Sequence, residues 1–371
     1  MLLFALGCLF ALAVIWLGYP LLMAALAAIR GNARPAAEMA LRRVSVVIAS
    51  RDPEAVIRDR VADVLAGDYP PELLEVVVAL DQQGPVPSES LQDLAPRVRV
   101  VAGPPPGGKA VTLNAGVAAS TGEILCFTDA AQRFERDAIR RLVGALADER
   151  LGAVSGALHI GRDGRPSTLA ERYWLFERWL RMKEARVHSA VGVTGAIYAM
   201  RRVCWHPLPA GLILDDLYGP MQLVLRGYRV GFEPSAQAFD DRRFAPAQEF
   251  RRKARTLTGV LQLCAWLPEV VLPWRNPIWL QFLFHKLLRL ATPYLLLLAA
   301  LGALAWAATA LSSSAPALGR WLLALALIAL GALVAAVPRV RGALAMAAAM
   351  QAAVVRATIN GLRGRWDVWN R

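Results

Sequence analysis

The sequence predicts an α/β domain built on a largely parallel sheet, with membrane-spanning helices at both ends of the chain. The 371 residues are 56% hydrophobic, which is high for a soluble protein, and the excess lies in uncharged runs near the two termini. Between these runs, residues 44–255 alternate strand-like and helix-like segments, as α/β sheets do. We therefore expect an N-terminal anchor, a globular domain and a C-terminal membrane section.

The first uncharged run, Leu2 to Ile29, predicts a transmembrane anchor over residues 1–30. It is long enough to cross a hydrocarbon layer of roughly 30 Å with some tilt. A cleaved signal peptide fits poorly, because no basic segment precedes the run and no small-residue cleavage site follows it. The anchor is expected to stay on the protein.

The C-terminal part contains two further uncharged runs, Leu290 to Leu311 and Trp321 to Val337, which we predict to span the membrane. The stretch 342–359 is interrupted by a glutamine and an arginine, so either a fourth span or an interfacial helix fits it. We expect an interfacial amphipathic segment over residues 256–289 and transmembrane or interfacial helices over residues 290–371.

The basic residues flank these runs on one side and account for much of the net charge of +13. Arginines follow the first run, Lys286 and Arg289 precede the second, and arginines follow the third, whereas the loop between the last two has only an arginine at its far end. The positive-inside rule then places the N-terminus outside and the long middle section in the cytoplasm. The basic flanks are suited to anionic membrane lipids.

Other classes of protein are disfavoured by residue chemistry. The four cysteines are far apart, without the spacing of a zinc site or a disulfide framework. The segment GPPPGGKA, residues 103–110, fits a phosphate loop by spacing, but its three prolines have no N–H to offer a phosphate. Aromatic and arginine side chains alternate over 171–186. We interpret this stretch as an amphipathic helix near the bilayer or over a binding site, and we expect no nucleic-acid partner.

The middle section contains four predicted buried strands, each followed by a helical segment or a turn. Continuous β-branched runs such as VSVVIAS are typical of parallel strands covered on both faces. The predicted strands are residues 44–50, 74–81, 98–102 and 122–129, and the predicted helices include 53–65, 109–120 and 135–149. In such sheets ligands bind beyond the carboxyl ends of the strands. This rule selects Ser50, Asp52, Asp81, Thr128 and Asp129 as candidate site residues.

The order of these segments resembles the membrane-bound family 2 glycosyltransferases, which have a GT-A fold and include synthases of bacterial extracellular polysaccharides. VSVVIASRDPEAVI resembles the family's first strand and nucleotide loop, VVVALD its second strand, and GGKAVTLNAGVAASTGEILCFTDA its most specific motif. The resemblance implies a Rossmann-like mixed sheet and a bacterial plasma-membrane protein with several spans. It covers nearly the whole chain.

The resemblance also implies a role for each motif residue. The nucleotide-sugar would be bound by Ser50, Asp52, Glu54, Asp81, Lys109, Asp129, Arg252 and Arg255, with Asp81 holding a uracil-type base and therefore a UDP-linked donor. Thr194, Gly195 and Asp215 would line the acceptor region. Asp129 would bind a divalent cation, Mg²⁺ or Mn²⁺, but Ala131 replaces the second aspartate of the family's usual pair. Since alanine has no oxygen ligand, we expect weaker metal affinity.

Asp216 is the residue we expect to act as the catalytic base. Sugar transfer from a nucleotide diphosphate leaves negative charge on the departing group, and the acceptor hydroxyl must lose a proton on the opposite face of the sugar. A single base attacking from behind gives inversion at the anomeric carbon. The alternative is that Asp215 and Asp216 only stabilise the N-terminus of a helix.

The segment EFRRKARTLTG, residues 249–259, resembles the Gln-x-x-Arg-Trp segment of processive relatives. The arginine is present as Arg255, or as Arg251 in another register, and the tryptophan is absent in both. The missing tryptophan counts against chain elongation and makes single transfer to a lipid-linked or oligosaccharide acceptor a credible alternative, so the sequence leaves both open. A basic patch that faces the membrane is the alternative interpretation.

The sequence thus predicts a membrane-anchored inverting glycosyltransferase of cell-envelope or exopolysaccharide synthesis. The alternative is a non-catalytic, nucleotide-binding membrane subunit of a polysaccharide synthesis complex.

Overall fold

A computed structural model describes residues 1–31, 41–94, 96–161, 168–242, 245–310, 325, 329, 331 and 336–367. Most of the predicted span Trp321 to Val337 therefore lies outside the described residues. The predicted α/β domain and the helices at its two ends are both present.

Within the described residues, eight strands form one mixed sheet in the order β3-β2-β1-β4-β7-β6-β8-β5. The strands are β1 (Val44–Ser50), β2 (Leu74–Leu80), β3 (Val98–Ala102), β4 (Ile124–Thr128), β5 (Arg133–Phe134), β6 (Leu151–Ile160), β7 (Tyr198–Arg201) and β8 (Arg229–Asp240). The first four are parallel to one another, as predicted, and β6 is parallel to β8. Strands β5 and β7 run antiparallel to their neighbours, which makes the sheet mixed.

Nine helices are described around the sheet and next to it in the described part of the chain. They are α1 (Leu2–Ile29), α2 (Glu54–Leu65), α3 (Lys109–Ala119), α4 (Ala138–Ala145), α5 (Leu169–Val187), α6 (Asp215–Leu225), α7 (Pro246–Trp266), α8 (Trp279–Thr309) and α9 (Pro338–Leu362). Helix α1 includes a π turn at Val14–Gly18, and α8 begins with short turns up to Ala291. Short 3-10 turns lie at Pro71–Leu73, Ser88–Leu94, Arg202–Cys204 and Pro268–Val271.

The sheet buries apolar side chains on both faces, which explains the continuous hydrophobic runs of its strands. Val46 and Ile48 of β1 pack with α2 and α4 on one face, and Val47 packs with α3 and α6 on the other. Helix α3 lies so close to the sheet that a Cβ on Gly116 would be 2.7 Å from Cγ1 of Val47. Only glycine allows this approach, which brings the C-terminal half of α3 against β1 and β2.

Three helices are long and apolar enough to cross a membrane: α1, α8 and α9. Helices α1 and α8 pack together, and the indole N–H of Trp16 donates to Oγ1 of Thr292 at 3.1 Å. Helix α9 packs on α7, where Asn360 donates to Oγ1 of Thr258 at 3.2 Å. Helix α7 is continuous from Pro246 to Trp266, so it joins the predicted globular domain to the predicted interfacial segment.

Candidate active site

The carboxyl ends of three parallel strands meet at one edge of the sheet. Ser50 of β1 lies opposite Leu80 of β2, and Ile48 of β1 lies opposite Thr128 of β4. The next residues along β2 and β4 are Asp81 and Asp129, so parallel pairing alone brings these carboxylates to the same rim.

Asp81 lies at the bottom of an open groove of about 360 Å³, beside Val86, Pro87 and Glu89. Its Oδ1 accepts the N–H of Gln83 at 2.9 Å, and its Oδ2 accepts the N–H of Gly108 at 2.9 Å and Nη2 of Arg51 at 2.8 Å. Burial alone would raise the pKa of Asp81, but these donors outweigh burial and hold the pKa below its usual value. The carboxylate is therefore charged and fixed in place.

Lys109 links the end of β4 to the start of α6. Its ammonium nitrogen lies 3.0 Å from Oδ1 of Asp129 and 3.4 Å from Oδ2 of Asp215. Burial disfavours this ammonium, but the nearby carboxylates raise the pKa of Lys109 above its usual value. For Asp129, burial is outweighed by Lys109, Arg242 and Arg255, which lower the pKa of its carboxyl. Both groups are charged at neutral pH.

Asp215 and Asp216 are the first two residues of α6. The N-cap is Leu214, and no side-chain hydrogen bond caps this helix start, so neither aspartate is the capping residue. Burial and the neighbouring charge of Asp215 raise the pKa of Asp216 to about 6, while Lys109 and Arg181 act in the opposite direction. A carboxylate with this pKa is ionised at neutral pH and is a better proton acceptor than an ordinary aspartate.

The α5–β7 loop, residues 188–197, holds Asp216 from the other side. The N–H of Val193 donates to the backbone oxygen of Asp216 at 2.8 Å. A Cβ added to Gly195 would lie 3.4 Å from Oδ2 of Asp216, so the loop backbone lines this carboxylate. Thr194 is buried, and its hydroxyl accepts Nη1 of Arg181 at 2.9 Å. Thr194 thus ties the loop to α5 through Arg181.

Four other predicted residues, Ser50, Asp52, Glu54 and Arg252, form contacts with their own local neighbours. Ser50 and Asp52 form a local turn in which Oγ of Ser50 donates to Oδ2 of Asp52 at 2.9 Å. Glu54 belongs to a surface group, because it binds Arg58, which also binds Asp93. Arg252 pairs with Glu249 at 3.3 Å on the outer part of α7.

Arg255, also on α7, reaches the acidic centre electrostatically. Burial lowers the pKa of its guanidinium, while the charges of Asp216, Asp215 and Asp129 act to raise it. Arg255 is therefore a cation of the 249–259 segment that interacts electrostatically with Asp129, Asp215 and Asp216.

Three further residues of the site were absent from the sequence prediction. Arg51 follows β1 directly, so the strand-end rule could have found it. Arg181 lies in α5, far from any motif, and only the tertiary fold brings it to Thr194. Tyr198 of β7 stacks on Phe127, with ring centroids 4.7 Å apart, and burial and the three aspartates raise its pKa above the usual value.

The residues near Asp129 suit a divalent cation held by a single carboxylate. Ala131 contributes no side-chain oxygen, and Asp81 is already bound by three donors. Among the described residues, three or more acidic, histidine or cysteine side chains do not gather at one cation-sized position. The side chain of Asp129 is partly exposed, and its Oδ1 is the oxygen paired with Lys109. Magnesium sites of one or two carboxylates completed by substrate phosphates and water have this composition.

Comparison with known proteins identifies relatives of both the sequence and the fold. The sequence model described as Glycosyl transferase family 2 matches residues 45–205, from β1 to the turn after β7. A probable glycosyltransferase of Bacillus subtilis, YdaM, is 27% identical over 217 residues, which cover 53% of this chain. The chain spans about half the length of that curated relative.

A solved structure extends the likeness of fold to the membrane helices. The mannosyltransferase PcManGT from Pyrobaculum calidifontis, determined with GDP-mannose and Mn²⁺, superposes with a TM-score of 0.72 at 23% identity. The match covers 97% of this chain and 99% of that one. The predicted GT-A-like fold is thereby confirmed, together with flanking helices that are long and apolar enough to cross a membrane.

Proposed function

We propose that this chain is a family 2 glycosyltransferase, which its similarity to that family's sequence model over residues 45–205 supports. In this proposal it transfers a sugar from a nucleotide-diphosphate donor to an acceptor hydroxyl, with inversion at the anomeric carbon. The acceptor in this proposal is lipid-linked or a saccharide, and the pathway is cell-envelope or exopolysaccharide synthesis. The protein would be anchored in the bacterial plasma membrane by α1 and the C-terminal helices, with the sheet domain in the cytoplasm.

The observation that carries the proposal is the continuity from Asp81 to Asp216. Gly108 donates to Asp81, and the next residue, Lys109, pairs with both Asp129 and Asp215. Asp216 follows directly. The group proposed to bind the donor and the group proposed to take a proton from the acceptor are therefore linked by a short series of contacts, and a transfer reaction requires such proximity.

The cationic side of the cleft would stabilise the departing nucleoside diphosphate. Among the described residues, Lys109, Arg242 and Arg255 are cations whose charge acts on Asp129. As the bond between the sugar and the phosphate breaks, its electron pair passes to the diphosphate, and fixed positive charges lower the energy of that state. A divalent cation, held by Asp129 and the diphosphate, would supply additional positive charge at the same place.

The acidic side would activate the acceptor. Asp216 accepts the hydroxyl proton while the acceptor oxygen forms the new bond to the anomeric carbon on the face opposite the leaving group. Burial keeps its pKa near 6, so the carboxylate is ready to accept a proton at neutral pH. Asp215 remains paired with Lys109 and keeps that cation in place.

The contacts of Asp81 favour a uracil-type base in the donor. A carboxylate offers about four acceptor positions, and three of those on Asp81 are used by Gln83, Gly108 and Arg51. One position on Oδ1 is left, which suits the single N–H of uracil better than the two parallel donors of guanine. We therefore propose a UDP-linked sugar as the preferred donor.

Ala131 favours the alternative of a non-catalytic subunit, since the site lacks the second acidic ligand. The two proposals are separated by a transfer assay on the full chain in detergent, with UDP- and GDP-linked sugars and a membrane lipid extract as the source of acceptor. The enzyme proposal predicts donor-dependent product with the native chain and a loss of at least about a hundredfold in Asp216→Asn.

Asp59→Asn is the matched control, because it makes the same chemical change at an exposed position on α2. It should leave transfer unchanged. Equal rates for the native chain and Asp216→Asn, or no transfer from any donor, would support the non-catalytic subunit instead.

A further inference from the structure

The membrane helices and the α5–β7 loop meet at one fully buried carboxylate, that of Glu184 on α5. Its Oε1 accepts the hydroxyl of Tyr19 from α1 and lies 2.8 Å from Nδ1 of His285 in α8. Its Oε2 accepts the N–H of Val191, in the loop, at 3.4 Å. A buried carboxylate is stable only when its acceptor positions are filled, so these partners select one arrangement of the three segments.

The imidazole of His285 extends the same cluster. Its second nitrogen, Nε2, lies 2.9 Å from Oε2 of Glu177, which is two turns before Glu184 on the same face of α5. Arg289 pairs with Glu177 as well, and its guanidinium stacks over Trp16 of α1 at 4.5 Å. Glu177 and Glu184 thus bind α5 to side chains of α1 and α8.

A second contact joins α8 to the loop directly. The side-chain amide of Gln281 donates to the backbone oxygen of Ser189 at 2.9 Å and to that of Glu184 at 3.3 Å. Ser189 in turn accepts the N–H of Val230, in β8, at 3.1 Å through its hydroxyl. Residues Ser189 to Val191 are all buried, so this backbone is held from the membrane side and from the sheet side together.

The same loop reaches the proposed base a few residues later. Val193 donates to the backbone of Asp216, Gly192 is at a φ of +84° against that backbone oxygen, and Gly195 lines the carboxylate. Tyr19 and Gln281 are therefore linked to Asp216 by buried hydrogen bonds at the two ends of the segment 189–193 and by the backbone of that segment.

We infer that Glu184 is a positioning residue, which together with Gln281 uses the membrane helices to hold the α5–β7 loop against Asp216. This inference rests on the proposed function, in which Asp216 is the base. The membrane helices are then part of the framework that positions Asp216, in addition to any role as an anchor. Misplacement of a base by about 1 Å can cost on the order of a hundredfold in rate, so a partial loss of this support should be measurable.

The test compares Glu184→Gln, Tyr19→Phe and Gln281→Leu with the native full chain in lipid nanodiscs. Phenylalanine keeps the stack of residue 19 on Phe284 and removes only the hydroxyl. We expect kcat to fall by about tenfold or more in Glu184→Gln and Gln281→Leu and by less in Tyr19→Phe, with the KM for the donor unchanged. Glu72→Gln, at an exposed site near β2, is the matched control and should match the native chain.

Hydrogen–deuterium exchange of the same proteins gives a readout that does not need activity. In Glu184→Gln and Gln281→Leu we expect faster exchange of the amides of residues 189–195. The exchange of the β1 amides should be unchanged. Unchanged exchange in this loop, or faster exchange with native kcat, would overturn the inference. A native chain without transfer activity would overturn the proposed function, and the exchange of the loop would then decide alone whether Glu184 holds it.

Discussion

Lys109 forms an ion pair with Asp129 across the cleft, with 3.0 Å between Nζ and Oδ1. The same ammonium also contacts Asp215, so one side chain determines how far the end of β4 lies from the start of α6. Lys109 is the first residue of α3, directly after Gly108, whose N–H donates to Asp81 at 2.9 Å. The contacts of these two neighbouring residues thus link Asp81, Asp129 and Asp215.

Replacing Lys109 by methionine should lower kcat by at least about a hundredfold, the usual effect of removing one group that stabilises developing negative charge. The change also leaves Asp215 buried without its cation. The measurement is transfer rate at saturating donor. Lys183→Met, which removes a cation lying over Trp179, is the control and should retain activity. A Lys109→Met protein with native kcat would contradict the assigned role.

The pH dependence of kcat should show an acid limb near pH 6. Asp216 must be deprotonated to accept a proton, and burial and Asp215 raise its pKa to about 6, so activity is lost as the pH falls through that value. Arg181 lowers this pKa, so Arg181→Gln should move the limb to higher pH, while Arg186→Gln, exposed on the same helix, should leave it in place. A limb that stays unmoved in Arg181→Gln would argue against Asp216 as the titrating base.

Metal dependence should be present but weak. We expect a chelator to reduce transfer and added Mn²⁺ to restore it. Ala131→Asp should lower the Mn²⁺ concentration that gives half-maximal activity by about tenfold, because affinity for hard cations follows the number of charged oxygen ligands. Ala131→Asn has nearly the same size without the charge and serves as the control. Activity that is indifferent to the chelator would count against a metal at Asp129.

Asp81→Asn should raise the KM for a UDP-linked donor by about tenfold or more while kcat changes little, since the lost contacts bind ground state and transition state alike. The variant leaves Arg51 without its buried partner, so a lower melting temperature is also expected. Asp93→Asn, in an exposed ion pair with Arg58, is the control. A native KM in Asp81→Asn would place the base elsewhere.

The sheet and its rim were predictable from local pattern. Strands β1 and β3 have the bounds that were predicted. The prediction that β3 is buried was wrong, because β3 is the edge strand of the sheet and is only partly buried. Parallel pairing then requires Asp81 and Asp129 to share an edge. Helix α2 begins one residue after the predicted start, since Pro53 is its N-cap.

The other half of the site could not be read from local pattern. Strand β7 pairs with β4 and β6 in an antiparallel sense, and the partners lie far apart in the chain. Arg181 and Glu184 are in a helix whose sequence predicts only an amphipathic surface, so their buried roles come from tertiary packing. The predicted roles of Glu54 and Arg252 in donor binding remain predictions, as their carboxylate and guanidinium form surface ion pairs.

The most direct test of a single base acting across this cleft is the anomeric configuration of the first product, measured by NMR with the native full chain and its preferred donor. One carboxylate that activates the acceptor opposite the leaving group predicts a product of inverted configuration relative to the donor. A product of retained configuration would contradict the account.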